Sequence, residues 1–135
     1  TGTTDAPNVS VNPLSVLTAW NVMRDVRDLE KGEDGWVWLD RRKTTRFKLD
    51  KNGHVVDAMS NGRQAQWVSC AEVENEIGNA PNPVFWATPG TNLKTVMLAM
   101  HRSQASPVAL FDDASKFVGS IGIRDMLQAV LRRGG

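Results

Sequence analysis

Tyrosine is absent from this sequence, and cysteine occurs once, as Cys70. A lone cysteine excludes an intrachain disulfide framework and suits a reducing compartment. Excess charge of one sign is also missing. The formal net charge is +1, so no global field draws the chain to nucleic acid or to an anionic membrane surface. No apolar run approaches the roughly 20 residues that span a bilayer, which excludes membrane insertion by a helix. No signal-peptide pattern is visible. Catalytic signatures are missing too. The phosphate-cradling loop GxxxxGK[ST] does not occur. His54 and His101 lie far apart and lack metal-ligand spacing. No Ser-His-Asp or Cys-His set can be assembled. We therefore expect no catalytic residue, no metal site and no nucleic-acid partner.

What is present is an ordinary globular composition. Hydrophobic residues make up 41% and charged residues 23%, so a core can be buried and wholesale disorder is excluded. The 135 residues suffice for one compact domain or two small interlocked repeats. Residues 1–13 are polar, contain Pro7 and Pro13, and read as a linker or tail. The chain opens on Thr1 without Met, and we take it for a piece of a longer protein. Residues 14–23 suit a short helix capped by Thr18, with Val22 and Met23 toward a core. Residues 24–34 are charged and predict a loop.

Residues 35–69 are β-rich. Strands are expected over 36–39, 44–49, 55–59 and 65–69. Asn52-Gly53 and Asn61-Gly62 supply tight turns between them, because Asn-Gly tolerates positive φ. Residues 70–77 suit a short helix. Gly78 to Pro83 form a connector and the internal boundary. Beyond it the pattern is clearer. A strand over 84–87 is followed by an amphipathic helix over 92–102. Its stripe is Leu93, Val96, Met97 and Met100, and Thr91 or Asn92 caps it. Strands over 108–111 and 117–121 follow. A second helix over 123–133 carries Ile123, Met126, Leu127, Val130 and Leu131 on one stripe. The order is β-α-β-β-α, with the first helix as a crossover between parallel strands. A unit of ~50 residues buries too little surface alone, so the first half is its natural partner.

Three segments carry a resemblance. They are Thr91 to Met100, then Ser106-Pro107-Val108-Ala109-Leu110-Phe111-Asp112, then Lys116 to Leu127 with Val118-Gly119 and Asp125-Met126-Leu127. Their order resembles the CBS motif: a helix ending near Met, a small-Pro-Val entry to a strand, an acidic turn, a Val-Gly strand and an Asp-led helix. The resemblance implies an α+β fold of tandem CBS repeats. It assigns 14–77 to a degenerate first repeat, 78–83 to the connector and 84–133 to the second repeat. No helical stripe runs through Arg41 to Lys51, so a β-hairpin takes the place of the first crossover helix. A shorter run, Asn12 to Met23, is similar to the segment before the CBS pair in glycine betaine/choline/proline-type ABC transporter ATP-binding subunits.

Many CBS pairs hold adenosine-containing ligands between repeats through Gly-x-x-Ser/Thr-x-x-Asp. The second repeat carries Gly119-x-x-Gly122-x-x-Asp125, with the hydroxyl replaced by glycine. The first carries Gln66-x-x-Ser69-x-x-Glu72, with the hydroxyl kept and Glu in place of Asp. Gly122 can still offer its N–H to an anion. Asp125 can accept from ribose hydroxyls, or simply favour the helix start. The candidate nucleotide-binding residues are Ser69, Glu72, Trp86, Ser106, Pro107, Gly122 and Asp125, with an adenine nucleotide as the possible ligand. Trp86 is placed to stack on adenine. The five Trp residues fill a core or an oligomer interface, or Trp36 and Trp38 join Trp67 or Trp86 in a cage for a quaternary ammonium group. Arg41, Arg42, Lys43, Arg46, Lys48, Arg132 and Arg133 form a solvated face or a salt-sensitive cationic patch.

The resemblance implies a non-catalytic regulatory module of a transport ATPase, sensing an adenine nucleotide or ionic strength. The alternative is a structural dimerisation module with no small-molecule ligand. The implied partners are a second copy of the chain, the parent ATPase domain and the transporter permease. The implied location is cytoplasmic, at the inner face of the plasma membrane.

Overall fold

The computed structural model describes residues 16–72, 81–103 and 106–134. The expected tail 1–13 and most of the helix expected over 70–77 lie outside them. Among the described residues the elements, in chain order, are β1 (Arg24–Asp25), β2 (Trp36–Trp38), β3 (Thr45–Leu49), β4 (Val55–Ser60), β5 (Arg63–Gln64), β6 (Gln66–Ser69), β7 (Pro83–Ala87), α1 (Leu93–Arg102), β8 (Val108–Phe111), β9 (Phe117–Ile121) and α2 (Ile123–Gly134). Short 3-10 turns occupy Ala19–Asn21, Val26–Asp28 and Cys70–Glu72.

The strands form two sheets. A mixed five-stranded sheet has the order β1-β9-β8-β7-β6, and an antiparallel four-stranded sheet the order β2-β3-β4-β5. In the first, β6, β7 and β8 run parallel, while β9 pairs antiparallel with β8 and β1. The β7-α1-β8-β9-α2 half is the unit expected from hydrophobic periodicity. In the other half β2 and β3 form a hairpin, and no helix occupies Arg41 to Lys51.

Alternation along the central strands sets up three layers. Phe85, Val108, Leu110 and Ile121 join Leu93, Val96, Met100 and Met126 of the helices in one core. Val84, Ala109 and Phe117 point the other way and meet Val37, Leu39, Phe47 and Ala58 of the four-stranded sheet. Two polar groups tie the layers. The buried Ser120 hydroxyl donates to Leu39 O at 2.8 Å. Asn82 Nδ2 donates to the carbonyls of Ser60, Arg63 and Gln64 at 2.9–3.2 Å, where the chain crosses between sheets.

Local chemistry explains the agreements and the differences. Asn61 and Gly62 both take positive φ, 53° and 77°, as a two-residue hairpin turn requires. At the other Asn-Gly pair only Gly53 does. That turn is held by Asp50, whose Oδ1 accepts from the N–H groups of Asn52 and His54. Residues 19–21 form a 3-10 turn rather than an α-helix. Asn21 Oδ1 accepts from Thr18 N and Thr18 Oγ1, closing the turn within four residues. The expected loop 24–34 contains an edge strand, because Gly119 lets β1 approach β9. A Cβ there would overlap the carbonyl oxygen of Arg24. Asn92, not Thr91, caps α1, accepting from Lys94 N at 2.8 Å.

Candidate ligand clefts

The first cleft, about 450 Å³, opens where α2 begins. Its walls come from β1, from the turn that follows β2, from the entry to β8 and from the first turn of α2. Arg24, Arg41, Arg42 and Arg124 line it together with Pro107, Gly122 and Asp125. Asp40 fixes the turn that carries two of these arginines. Its Oδ1 accepts from Thr44 N and Thr45 N at 3.0 and 3.2 Å, and its Oδ2 from Thr44 Oγ1 at 2.5 Å. Lys43 closes the same turn by donating to Asp40 O and by reaching Glu30 at 2.7 Å. Both carboxylate oxygens of Asp40 are thereby engaged within the turn. Among the described residues the side chains of Arg41, Arg42 and Arg124 make no hydrogen bond or ion pair, so their guanidinium donors are open to a ligand.

At the floor, Gly122 N donates to Asp125 Oδ2 at 2.7 Å. This is half of a capping box, with the acid at the third helical position reaching back to the N-cap. The expected offer of the Gly122 N–H to an anion is therefore not met, because a carboxylate of the chain already takes it. Burial pushes the Asp125 carboxyl up from its ordinary value, while the Gly122 N–H and the charges of Arg24 and Arg41 pull it down. The net shift is upward, so desolvation outweighs two guanidinium groups.

The second cleft, about 410 Å³, lies between the β3–β4 and β8–β9 turns. Trp67, Trp86 and Phe111 form its walls, and His54, Thr88, Asp112 and Ser115 its rim. The ring centroids of Trp67 and Trp86 lie 5.6 and 6.4 Å from that of Phe111, with interplanar angles of 64° and 82°. Phe47 backs Trp67 at 5.1 Å.

Several solved structures superpose on this architecture. CBSX2 in complex with AMP superposes with a TM-score of 0.60 at 14% identity, over 88% of this chain and 99% of that one. The CBS domain of a bacterial CNNM/CorC family Mg2+ transporter in complex with ATP gives 0.56 at 10% identity, over 87% and 89%. A hemolysin-like CBS protein of Oenococcus oeni PSU gives 0.52 at 11% identity, over 87% and 92%. The chain has the fold of CBS domains. No family model and no curated protein matches the sequence.

The CBS fold distributes the sequence-derived site residues unevenly. Pro107, Gly122 and Asp125 come together in the arginine cleft. Ser106 adjoins it but lies outside the lining, and its hydroxyl donates to Ser103 O at 3.2 Å. Trp86 lines the aromatic cleft. Ser69 pairs with Trp86 across β6 and β7, and its Oγ accepts from Ala71 N. The backbone of Glu72 ends a 3-10 turn, and its side chain lies outside the described residues. The Trp36–Trp38 cage does not form with Trp67 or Trp86. Arg46 covers both rings instead, 4.4 and 5.5 Å from their centroids. Sequence reasoning missed Arg24 and Arg124 in the first cleft. It noted Arg41 and Arg42 only as members of a cationic patch. The available signal was Arg124 beside Asp125 at a helix start.

Proposed function

We propose that this chain is a non-catalytic regulatory module that binds an adenine nucleotide in the arginine cleft. One observation carries the reading: four arginines line one cleft with Asp125 at the start of α2, and the side chains of three make no hydrogen bond or ion pair among the described residues. Guanidinium groups match phosphate in charge and in fork geometry. Asp125 Oδ1, which makes no hydrogen bond among the described residues, accepts from a ribose hydroxyl. Two of the CBS structures above hold AMP and ATP, which supports the same ligand class here. Calorimetry of the chain with AMP, ADP and ATP tests it. Binding that is lost in the Arg41→Ala, Arg42→Ala double variant is expected, and no binding at near-millimolar concentration would overturn it.

The finer assignment is regulation of a glycine betaine/choline/proline-type ABC transporter ATPase at the cytoplasmic face of the plasma membrane, in company with its ATPase domain and permease. It rests on the run Asn12 to Met23, and an ATPase sequence preceding Thr1 in the same polypeptide would support it. Residues 14–77 and 84–133 serve as the two repeats in this reading, with 78–83 between them. Ionic strength then acts on the same arginines by screening.

A second reading, dimerisation without a ligand, is favoured by α2. Ile123, Leu127 and Leu131 are 41%, 51% and 71% exposed and recur every four residues on one face. Light scattering decides it, since a monomer throughout the micromolar range excludes a homodimer.

A further inference from the structure

We propose that the aromatic cleft is a second binding site, for a compact organic ammonium cation, independent of the arginine cleft. Three features point to that class of ligand. The first is shape. Trp67 and Phe111 meet at 64°, and Trp86 and Phe111 at 82°. Rings so inclined form the corner of a box. A flat heterocycle calls for parallel faces, whereas a box corner suits a rounded group such as a tetraalkylammonium.

The second feature is charge. Asp112 lines this cleft, and no lysine or arginine does. Lys116 runs along Gly53 and is not part of the lining. Phosphate therefore finds no guanidinium or ammonium group here, in contrast to the cleft with four arginines, and the His54 imidazole is engaged by Asp50 at 3.7 Å and Ala114 O at 3.2 Å. Asp112 is also held in place, because its Oδ1 accepts from Ala114 N and Lys116 N, both at 2.9 Å. The third feature is preorganisation. Trp67 is 44% exposed, yet Phe47 behind it fixes the ring at 5.1 Å, so little ordering is left for a ligand to impose. The molecule itself shows what an unoccupied aromatic pair attracts. Trp36 and Trp38 have Arg46 over their faces. Among the described residues no cation of the chain covers Trp67, Trp86 or Phe111.

Nuclear magnetic resonance of the tryptophan indole N–H groups tests the proposal on the full chain, with choline as the probe and its uncharged tert-butyl analogue as control. Choline is expected to shift the Trp67 and Trp86 signals and to leave those of Trp36 and Trp38 in place. The analogue should bind at least about five-fold more weakly, since it lacks the cation–π attraction. Trp67→Ala is expected to abolish the Trp86 shift. Asp112→Asn, which keeps the turn acceptor, should weaken choline several-fold and leave the analogue unchanged. Arg41→Ala should leave choline binding intact. Equal binding of the two compounds would reduce the cleft to an apolar groove. Shifts at Trp36 and Trp38 alone, or none at tens of millimolar choline, would overturn the assignment.

Discussion

Gly122 stands where a CBS ligand motif has a hydroxyl, and its N–H is engaged by Asp125 at 2.7 Å. A serine there would complete the capping box by accepting from the third helical N–H. A Cβ at this position would sit 3.6 Å from Asp125 Oδ2, an ordinary contact. Gly122→Ser is therefore expected to raise stability by a few tenths of a kcal/mol and to tighten nucleotide binding, read by thermal unfolding and calorimetry. Asp125 itself sets a pH dependence. Its folded-state value lies above the ordinary 3.8, so the folded chain binds the proton more tightly than the unfolded chain does. Stability from this group therefore falls as pH rises from 3.8 to the folded value, and is constant above it. Asp25 and Asp50 are lowered and work in the opposite sense, losing their contribution as pH falls below 3.8. Comparing Asp125→Asn with the parent chain across this range isolates the first effect. If the arginine cleft takes a nucleotide as proposed, its affinity is expected to fall on the acid side, where the Asp125 carboxylate is lost.

At the scale of elements, Gly119 illustrates a close approach that composition does not reveal. Gly119→Ala drives a methyl into the Arg24 carbonyl, so β1 must leave β9 or the sheet must shift. A loss of about 1–3 kcal/mol in urea unfolding is expected. Arg24 would then leave the cleft, and nucleotide affinity should drop with it. The turn at Asp40 makes a matching case. Asp40→Ala removes the acceptor for Thr44 N and the buried Thr45, at a cost of about 1–3 kcal/mol. It also frees Arg41 and Arg42 to spread.

Such examples explain what was legible beforehand. Helix α1 and strands β7 to β9 declare themselves because each buries a periodic apolar stripe, whereas α2 buries Met126 and Ala129 and leaves Ile123, Leu127 and Leu131 of its expected stripe exposed. The Asn-Gly hairpin at 61–62 does so because few residues accept positive φ. Strand β1 could not be seen. It has two residues, both charged, and exists because of a glycine far along the chain. The arginine cleft was half legible. Pro107, Gly122 and Asp125 belong to a local pattern, whereas Arg24, Arg41 and Arg42 reach the same cleft only through tertiary packing.

For the molecule as a whole, Cys70 reports on opening of the core. It is buried beside Val68 and Phe85, and burial pushes its thiol up to about 12. The thiolate is the reactive form, so alkylation at neutral pH is expected only through unfolding, with a rate that follows urea concentration. Association is the other global property. Leu127→Lys and Leu131→Lys change exposed positions on α2 and are expected to shift light scattering toward monomer with little change in stability.

The hydrogen bond from Ser120 to Leu39 joins the arginine cleft to the start of α2. Ser120 lies one residue before the last residue of β9, just ahead of α2, and Leu39 lies just before the turn bearing Arg41 and Arg42. A ligand that gathers the arginines pulls on one end of this linkage, and α2, with Leu127 and Leu131, hangs from the other. If the chain both takes a nucleotide in the arginine cleft and self-associates through α2, as proposed, occupancy and self-association become reciprocal. Whatever factor a second copy contributes to ligand affinity, the ligand returns to dimer affinity, and Ser120→Ala would uncouple the two while leaving each measurable alone.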